Sequence, residues 1–327
     1  MAVLVVGAGI VGASVAYHAA RAGAEVTLVD AGRPGAGVTA DSFAWIAASR
    51  VRSGPASAVR AAATVEYRRV EAELPGLPVA WSGALSWRPG AAPEPGPGQH
   101  IVDALTLEPN LRRSPDWALW TPGEGAVDPV GVTERLVAGA REHGARVHLD
   151  TGVTAVRRDA AGRAAGVETP SGPLAATTVV LAAGVATAAL GASVGVPVPV
   201  EPSPCPLFGL RAPAGLVRTV VNTEDFDLRQ VAGDRLIAAA DSARRTVDAV
   251  RATFRGEVDL LDTRIGVRPM PADGEPIVGP VAEVPGLYVA VMHAAVTLAP
   301  AMGRLIAREV VDGVAQPALA GCRPDRF

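Results

Sequence analysis

The chain opens on an apolar run that is followed by a helical pattern. Residues Val3–Val6 are all apolar, which is typical of a buried parallel strand. From Ile10 to about Ala22, small apolar residues recur at helical spacing. Gly23 ends this helix, and "EVTLV" (25–29) predicts a second strand. The pattern therefore predicts a β-α-β unit over the first 30 residues.

Three glycines follow the first strand in the order Gly7-x-Gly9-x-x-Gly12. The first allows the tight turn out of the strand, the second lets the backbone approach a pyrophosphate, and the third lets the helix lie close to the strands. The N–H groups of Ile10 and Val11 begin the helix, where unpaired donors and the positive end of the dipole favour phosphate. This spacing predicts a dinucleotide site.

The second predicted strand ends at Asp30, which is followed by Ala31. A carboxylate there can accept hydrogen bonds from the adenosine ribose hydroxyls and would repel a 2′-phosphate, which disfavours NADP. The motif leaves NAD and FAD open, because both contain the same ADP half.

Two further patterns lie downstream. Asp128 as N-cap, Pro129 in the first turn and Gly144 as a stop predict a helix over about 130–143. Five runs rich in apolar residues predict a mostly antiparallel sheet, namely "ALSW", "LFGLRA", "RTVVN", "LRQVA" and "RLIAAAD". The acidic residues of the predicted helix near 57–74 are expected to form a solvated face, and they are Glu66, Glu71 and Glu73.

The composition indicates a globular protein, because 49% of residues are apolar and 19% are charged. A net charge of −3 gives no electrostatic footprint for nucleic acid or an anionic membrane. The histidines and the two cysteines, Cys205 and Cys322, show no spacing typical of a metal or redox site. The cysteines are therefore expected to be free thiols.

The location is predicted from what the chain lacks. The first strand begins at Val3, which leaves no room for a signal peptide. The one long uncharged stretch, 175–200, is mostly Ala, Gly and Thr, and its first half fits a strand better than a membrane span. We therefore expect a soluble, cytoplasmic protein.

The segment after Asp30 carries a resemblance to a known family. It reads "AGRPGAGVTADSFAWIAASR" and resembles the D-amino acid oxidase family of flavoenzymes, the group that contains glycine oxidase and sarcosine oxidase. The resemblance implies that the dinucleotide is FAD. It also implies FAD contacts, mostly through backbone, from Arg33, Thr39, Ala40, Asp41 and Ser42. It places Trp45 near the isoalloxazine ring, with a core tryptophan as the alternative.

Later segments extend the resemblance. "GEGAVDPVGVTERLVAGAREHGARVHLDTGVTAV" implies an adenine contact from the backbone of Val153, and "TTVVLAAGVAT" implies that Ala183 and Gly184 cross near the dinucleotide. "RIGVRPMPADGEPIVG" with "GLYVAV" is similar to the family's C-terminal pattern. It implies a closing helix with its first turn toward the flavin, made by Ala295, Val296, Thr297 and Leu298.

The implied fold is α/β with two domains. A discontinuous FAD-binding domain of Rossmann type, with a parallel sheet and helices, is expected over 1–50, 120–198 and 263–327. A smaller α+β substrate domain with a mostly antiparallel sheet is expected over 51–119 and 199–262.

The resemblance also suggests which residues meet the substrate. Arg268, in Gly-x-Arg-Pro, would pair with a substrate carboxylate through both arms of its guanidinium, or alternatively with Asp273. His293 would polarise the flavin or contact substrate, or else be a packed histidine. Ala294 and Ala295 stand where the family commonly has Ser-Gly.

The cationic residues restrict how electrons can leave the flavin. All 30 basic residues are arginine, so the lysine that promotes reaction with oxygen in sarcosine oxidases has no counterpart. No cysteine lies in the segment that would hold FAD covalently, so non-covalent FAD is expected.

The expected activity is oxidation of a C–N bond in an amino acid or a secondary amine resembling an N-substituted glycine. Hydride would pass to flavin N5, and O2 would be the acceptor. The alternatives are a flavin dehydrogenase that passes electrons to a partner and a non-catalytic FAD-binding protein. No nucleic-acid partner is expected.

Overall fold

The β-α-β unit forms as the sequence predicts. In a computed structural model that describes residues 1–49 and 53–327, strand β1 (Ala2–Val6) pairs in parallel with β2 (Glu25–Val29). Helix α1 (Ile10–Arg21) connects them and is buried along almost its whole length. Gly23 has φ +85, which only glycine adopts readily, so the helix ends there.

The other strands of the described ranges are β3 (Trp45–Ile46), β4 (Val79–Ala80), β5 (Ala84–Ser86), β6 (His100–Val102), β7 (Ala118–Thr121), β8 (Gly125–Val127), β9 (Arg146–His148), β10 (Ala155–Arg158), β11 (Ala164–Glu168), β12 (Leu174–Ala175), β13 (Thr178–Leu181), β14 (Val200–Arg211), β15 (Val220–Asn222), β16 (Asp227–Ala232), β17 (Arg235–Ala239), β18 (Asp259–Pro271), β19 (Ile277–Pro280) and β20 (Leu287–Val291).

The other α-helices there are α2 (Ser57–Ala61), α3 (Ala63–Glu73), α4 (Ala104–Leu107), α5 (Pro129–Glu142), α6 (Ala186–Ala192), α7 (Ala243–Thr253) and α8 (Ala295–Asp312). Two 3-10 turns, Pro317–Cys322 and Pro324–Arg326, follow them. The Asp128 side chain caps α5 as predicted, by accepting hydrogen bonds from the N–H groups of Val130 and Gly131. No helix of the described ranges is long and apolar enough to cross a bilayer.

A six-stranded sheet holds the dinucleotide motif. Its order is β19-β20-β13-β1-β2-β9, and every neighbouring pair is parallel except β19 with β20. Helices α1, α3, α5 and α8 cover one face with a core that includes Tyr17, Leu136 and Ile306. The other face packs against α6 and the small antiparallel sheet β10-β11-β12, through residues such as Leu190 and Val167.

A second, eight-stranded sheet has the order β18-β14-β17-β16-β15-β5-β7-β6. All its pairs are antiparallel except β15 with β5. One face is covered by α4 and α7, with Phe208 and Phe254 in its core. All five predicted runs contribute strands to this sheet, and the predicted fold class is confirmed.

Strands β14 and β18 form the longest ladder of the second sheet. They pair from Val200 with Pro271 to Arg211 with Asp259, and the register skips one residue of β18, Leu261, at the irregularity between Gly209 and Leu210. The predicted domain boundary at residue 263 therefore falls inside a continuous strand.

A further stretch of the predicted substrate segment packs elsewhere. Tyr67 and Val70 of α3 belong to the core beneath the six-stranded sheet. The reason is that α3 lies against α8 and buries its apolar face there. The boundary between residues 50 and 51 lies outside the described residues. The division into two domains itself stays a prediction.

The prediction of a solvated acidic face on α3 is wrong. Glu66 is only 6% exposed and pairs with Arg69 of its own helix and with Arg304 of α8. These arginines hold the pKa of Glu66 below its usual range, although burial works against them. Glu73 also pairs with Arg69. Glu66 faces α8 because α3 packs on that helix, whereas Glu71 stays partly exposed and pairs with Arg68.

Candidate active site

A cavity of about 360 Å³ lies at the carboxyl ends of β1, β2 and β13. We call it the first cavity. Its wall is made by the glycine turn after β1, the end of β2, and the segments 36–39, 151–153 and 182–186. This edge of a parallel sheet is where nucleotides bind in folds of this kind.

The glycine turn is too tightly packed for other residues. Gly7 has φ +105, and a Cβ there would lie 2.4 Å from the carbonyl oxygen of Ala182. A Cβ on Gly12 would lie 1.8 Å from the carbonyl oxygen of Gly7. A Cβ on Gly9 would lie 3.3 Å from the hydroxyl oxygen of Thr39. Gly7 and Gly12 therefore allow the tight turn and the close approach of α1, while the approach of Gly9 to a pyrophosphate stays a prediction.

Two side chains from other segments complete the turn. The Thr39 hydroxyl accepts a hydrogen bond from the Ile10 N–H at 3.2 Å. The Asp30 carboxylate accepts hydrogen bonds from the N–H groups of Ala8 at 2.6 Å and Gly32 at 2.7 Å, one on each oxygen. Asp30 lines the first cavity, and a carboxylate oxygen can accept more than one hydrogen bond. A ribose contact from Asp30 stays a prediction.

A second cavity of about 340 Å³ adjoins the first, because Thr39 and Ala295 line both. We call it the second cavity. One side is the face of the eight-stranded sheet that presents Leu207, Ala239 and Arg268. The other sides come from α2, the segment 41–47 and the turn 292–297.

Helix α8 begins at the second cavity. Ala295, Val296 and Thr297 line it, and Ala294 at the N-cap offers no side-chain hydrogen bond. The Thr297 hydroxyl donates to the Trp45 carbonyl at 3.0 Å and accepts from the Ala47 N–H at 3.3 Å. The N–H groups and the positive dipole end of an 18-residue helix thus face this space.

A buried carboxylate holds Trp45 at the cavity. Trp45 is 8% exposed and lines the second cavity, so it is both packed in the core and present at the site. Its indole N–H donates to Glu124 at 2.8 Å. The other oxygen of Glu124 accepts from the N–H and the hydroxyl of Ser49, both at 2.6 Å. Glu124 therefore holds Trp45 and Ser49 together without lining the second cavity itself.

Arg268 lies on β18 directly opposite Ser203 of β14. Its Nη2 donates to the Ser203 hydroxyl at 2.9 Å, and its Nε donates to the Ser203 carbonyl at 3.4 Å. Asp273, the alternative partner considered from the sequence, instead pairs with Arg326. Ser203 occupies the Nε–Nη2 edge of the guanidinium, which leaves the Nη1–Nη2 edge for another acceptor.

The predicted site residues fall into three groups. Those at the first cavity are Gly7, Gly9, Ile10, Val11, Asp30, Ala31, Thr39, Val153, Ala183, Gly184 and Ala295. Those at the second cavity include Asp41, Ser42, Trp45, Arg268, His293, Val296 and Thr297. Those that line neither cavity are Gly12, Arg33, Ala40 and Leu298.

The four residues outside the cavity walls have other surroundings. Gly12 lies beneath the glycine turn and Leu298 is fully buried in the core. The Ala40 carbonyl accepts a hydrogen bond from Arg264 at 3.3 Å, and Arg33 is exposed. Direct FAD contacts from these residues stay predictions.

Sequence reasoning missed three charged residues of the second cavity, namely Arg60, Asp227 and Glu275. A signal existed for Asp227, because it alternates with the buried Leu228 along β16 and so lies on the opposite face of the sheet. Arg60 gives no such signal, because its place depends on how α2 packs.

A protein-family model described as "FAD dependent oxidoreductase" matches residues 2–309. This match covers nearly the whole chain. The chain belongs to the FAD dependent oxidoreductase family.

Curated relatives are similar in sequence to this chain over part of their length. A glycine oxidase of Geobacillus kaustophilus is 31% identical over 225 residues, which cover 63% of this chain and 59% of the relative. A D-amino acid dehydrogenase of Cereibacter sphaeroides is 32% identical over 65% of this chain and 54% of the relative. The matched stretch thus spans little more than half of these relatives.

Solved structures of family members match over a greater length. The glycine oxidase of Geobacillus kaustophilus has a TM-score of 0.86 at 23% identity and covers 99% of this chain and 98% of its own. An iminodiacetate oxidase of Chelativorans has a TM-score of 0.82 at 25% identity and covers 98% of both chains. The first of these likenesses concerns the fold alone.

FAD is the cofactor of this family member, and its residues fit the group. Gly7, Gly9 and the start of α1 line the first cavity, and the first turn of a helix offers unpaired backbone N–H groups to a phosphate. Asp30 lies on the same wall, and the first cavity adjoins the second. The two cavities could therefore hold an extended dinucleotide, with its phosphates at the glycine turn of the first cavity and its flavin ring toward the second.

We expect that Glu124→Gln will disturb the site while Glu108→Gln will not. Both carboxylates are buried and both accept three or more hydrogen bonds. A glutamine presents one acceptor and one donor end, so one side of each cluster loses its partner, at a cost of about 1–3 kcal/mol. Only Glu124 holds a residue that lines a cavity.

The measurements are tryptophan fluorescence, FAD affinity by titration of the apoprotein, and thermal unfolding. Both variants should lose stability, and E124Q alone should shift the fluorescence and weaken FAD binding. Equal FAD affinities for the two variants would contradict the role of Glu124 in holding Trp45.

Proposed function

We propose that this protein oxidises a C–N bond of an amino acid or a secondary amine that carries a carboxylate, such as an N-substituted glycine. We propose O2 as the electron acceptor. The relatives support the substrate class, since they include a glycine oxidase, a D-amino acid dehydrogenase and a dimethylglycine dehydrogenase.

The proposal depends on the position and orientation of the Arg268 guanidinium. Its side chain lines the second cavity, and Ser203 fixes its orientation through the Nε–Nη2 edge. The remaining edge presents two parallel N–H donors, a geometry that matches a carboxylate. Binding in this manner would orient the α-carbon of the substrate, which is the main contribution a protein makes to this chemistry.

The start of α8 is the second element of the proposed site. FAD, when bound, supplies a two-electron acceptor for the hydrogen of the substrate α-carbon. The N–H groups of Ala295, Val296 and Thr297 face the second cavity and can stabilise negative charge there. The apolar walls, which include Leu207 and Met292, would exclude water from the reacting atoms.

A dehydrogenase that passes electrons to a partner is the second candidate. One observation favours it, namely that all 30 basic residues are arginine, so no lysine can assist the reaction with oxygen. In an oxidase the positive charge for that task would come from His293 or from an arginine such as Arg60, and both residues line the second cavity.

The test is a substrate titration of the FAD-loaded protein without oxygen, followed by admission of air. Glycine, N-methylglycine and D-alanine are added in turn, and the visible flavin absorbance is recorded. Bleaching by a carboxylate-bearing amine and recovery in air is the expected result. Bleaching that recovers only with an artificial dye acceptor identifies a dehydrogenase. An unchanged spectrum with every amine tested would refute the proposed activity in favour of a non-catalytic flavoprotein.

A further inference from the structure

A proline interrupts the hydrogen bonding at the start of α8. Pro300 lies inside this helix, where the residue at position 300 would ordinarily donate its N–H to the carbonyl of Val296. Proline has no N–H, so the Val296 carbonyl lacks the donor that an ordinary helix would supply four residues later. Val296 lines the second cavity and is 8% exposed, so water does not readily replace the lost donor.

Tyr67 supplies the missing donor from another helix. Its hydroxyl donates to the Val296 carbonyl at 2.6 Å, and its side chain on α3 is fully buried. Burial raises the pKa of Tyr67 well above its usual range, so the hydroxyl keeps its proton and remains a donor. A buried carbonyl that would otherwise be unpaired is thereby satisfied by a side chain 229 residues away.

The same turn of α8 is tied on its other side. Thr297 is bonded to the backbone of Trp45 and Ala47, which belong to the segment at the second cavity. The first turn of α8 is thus held between α3 and the segment 45–47. Its N–H groups are the ones that face the cavity.

We propose that Tyr67 is a positioning residue for FAD. By bonding the carbonyl that Pro300 leaves unpaired, Tyr67 fixes the first turn of α8 in the orientation that FAD binding requires. The inference depends on FAD being the cofactor and is independent of which substrate is oxidised. The role of Tyr67 can therefore be refuted while the proposed activity holds, and the proposed activity can be refuted while the role of Tyr67 holds.

The first variant is Tyr67→Phe, which removes the hydroxyl and keeps the ring. FAD affinity, measured by titration of the apoprotein, is expected to fall about tenfold. Without the hydroxyl, the first turn can shift to relieve the unpaired carbonyl, and FAD binding must restore it at a cost on the scale of one unpaired carbonyl. The visible absorption band of the bound flavin is expected to shift as well. An unchanged affinity and an unchanged band would overturn the proposal.

Tyr288→Phe is the matched control. Tyr288 is also buried, and its hydroxyl also donates at 2.6 Å to α8, but to Glu309 near the opposite end of the helix. Y288F should lower the unfolding temperature of the apoprotein as Y67F does, while its FAD affinity stays within about twofold of the parent, because an undisturbed first turn leaves the binding free energy unchanged. An equal loss of FAD affinity in both variants would mean that Tyr67 acts only through general stability.

Pro300→Ala provides the second test, because it restores an N–H at position 300. In the double variant Y67F/P300A, the helix itself can pair the Val296 carbonyl. FAD affinity should then return to within about twofold of P300A alone, a free-energy difference too small to indicate an unpaired carbonyl. This comparison holds even if Y67F alone fails to fold. A double variant that binds FAD as weakly as Y67F, or fails to bind where P300A binds, would overturn the pairing of Tyr67 with Pro300.

Discussion

Replacing Arg268 by alanine is expected to lower kcat/KM for carboxylate-bearing amines by about a hundredfold to ten-thousandfold. The loss corresponds to two charge-assisted hydrogen bonds of about 1.5–3 kcal/mol each. Steady-state kinetics with a substrate amine and with the same amine lacking its carboxylate would measure it. FAD absorbance of the purified variant should remain, because the residue lies outside the first cavity.

Two companions sharpen this test. Arg268→Lys keeps the charge but not the paired donors, so it should recover only part of the lost kcat/KM. Arg235→Ala removes an arginine from the same sheet that pairs with Asp262 and is about half exposed, and it should act like the parent protein. If R268A slowed both forms of the amine equally, the residue would not be the carboxylate ligand.

Gly12→Ala is expected to abolish FAD binding and to leave little folded protein. The added Cβ would lie 1.8 Å from the Gly7 carbonyl oxygen, so backbone must move. Neither side can retreat easily, since α1 packs against α8 and Gly7 already lies against Ala182. Clashes of this kind in a core belong to the rare class that costs more than about 4 kcal/mol.

Gly37→Ala is the matched control for that variant. Gly37 lines the same first cavity, no atom lies within 4 Å of a Cβ built there, and its φ is not in the left-handed region. The variant should fold and take up FAD. Soluble yield, circular dichroism and FAD titration would distinguish the two substitutions, and normal FAD uptake by G12A would contradict the packing argument.

The local parts of the fold are predictable because their signals are local. A strand, three glycines and a helix follow one another within the first 21 residues, and Gly12 packs on Gly7 of the same motif. The same holds for α5, where Asp128 caps a helix that begins at the next residue. Runs of β-branched and apolar residues predict the strands of the eight-stranded sheet.

The wrong prediction for Glu66 and the alternatives that the sequence left open concern contacts between distant segments. Glu66 reads as a solvated acid because its partner Arg304 is 238 residues away on α8. Trp45 and Glu124 are 79 residues apart, so the indole partner could not be inferred. The sequence left an Arg268–Asp273 pair open for the same reason. In the structure, Asp273 instead forms an ion pair with Arg326 of the last turn. Pairings across folded elements depend on packing that no short pattern encodes.

The continuous β14–β18 ladder has a mechanical consequence. A hinge needs a few backbone positions that can change their dihedral angles freely. Every residue of β14 from Val200 to Arg211 is engaged with β18, and Arg268 is carried on this stiff ribbon. Both strands belong to the eight-stranded sheet, so a hinge inside this ribbon would break its ladder. We therefore expect the backbone that carries the guanidinium to stay fixed relative to this sheet when a ligand binds.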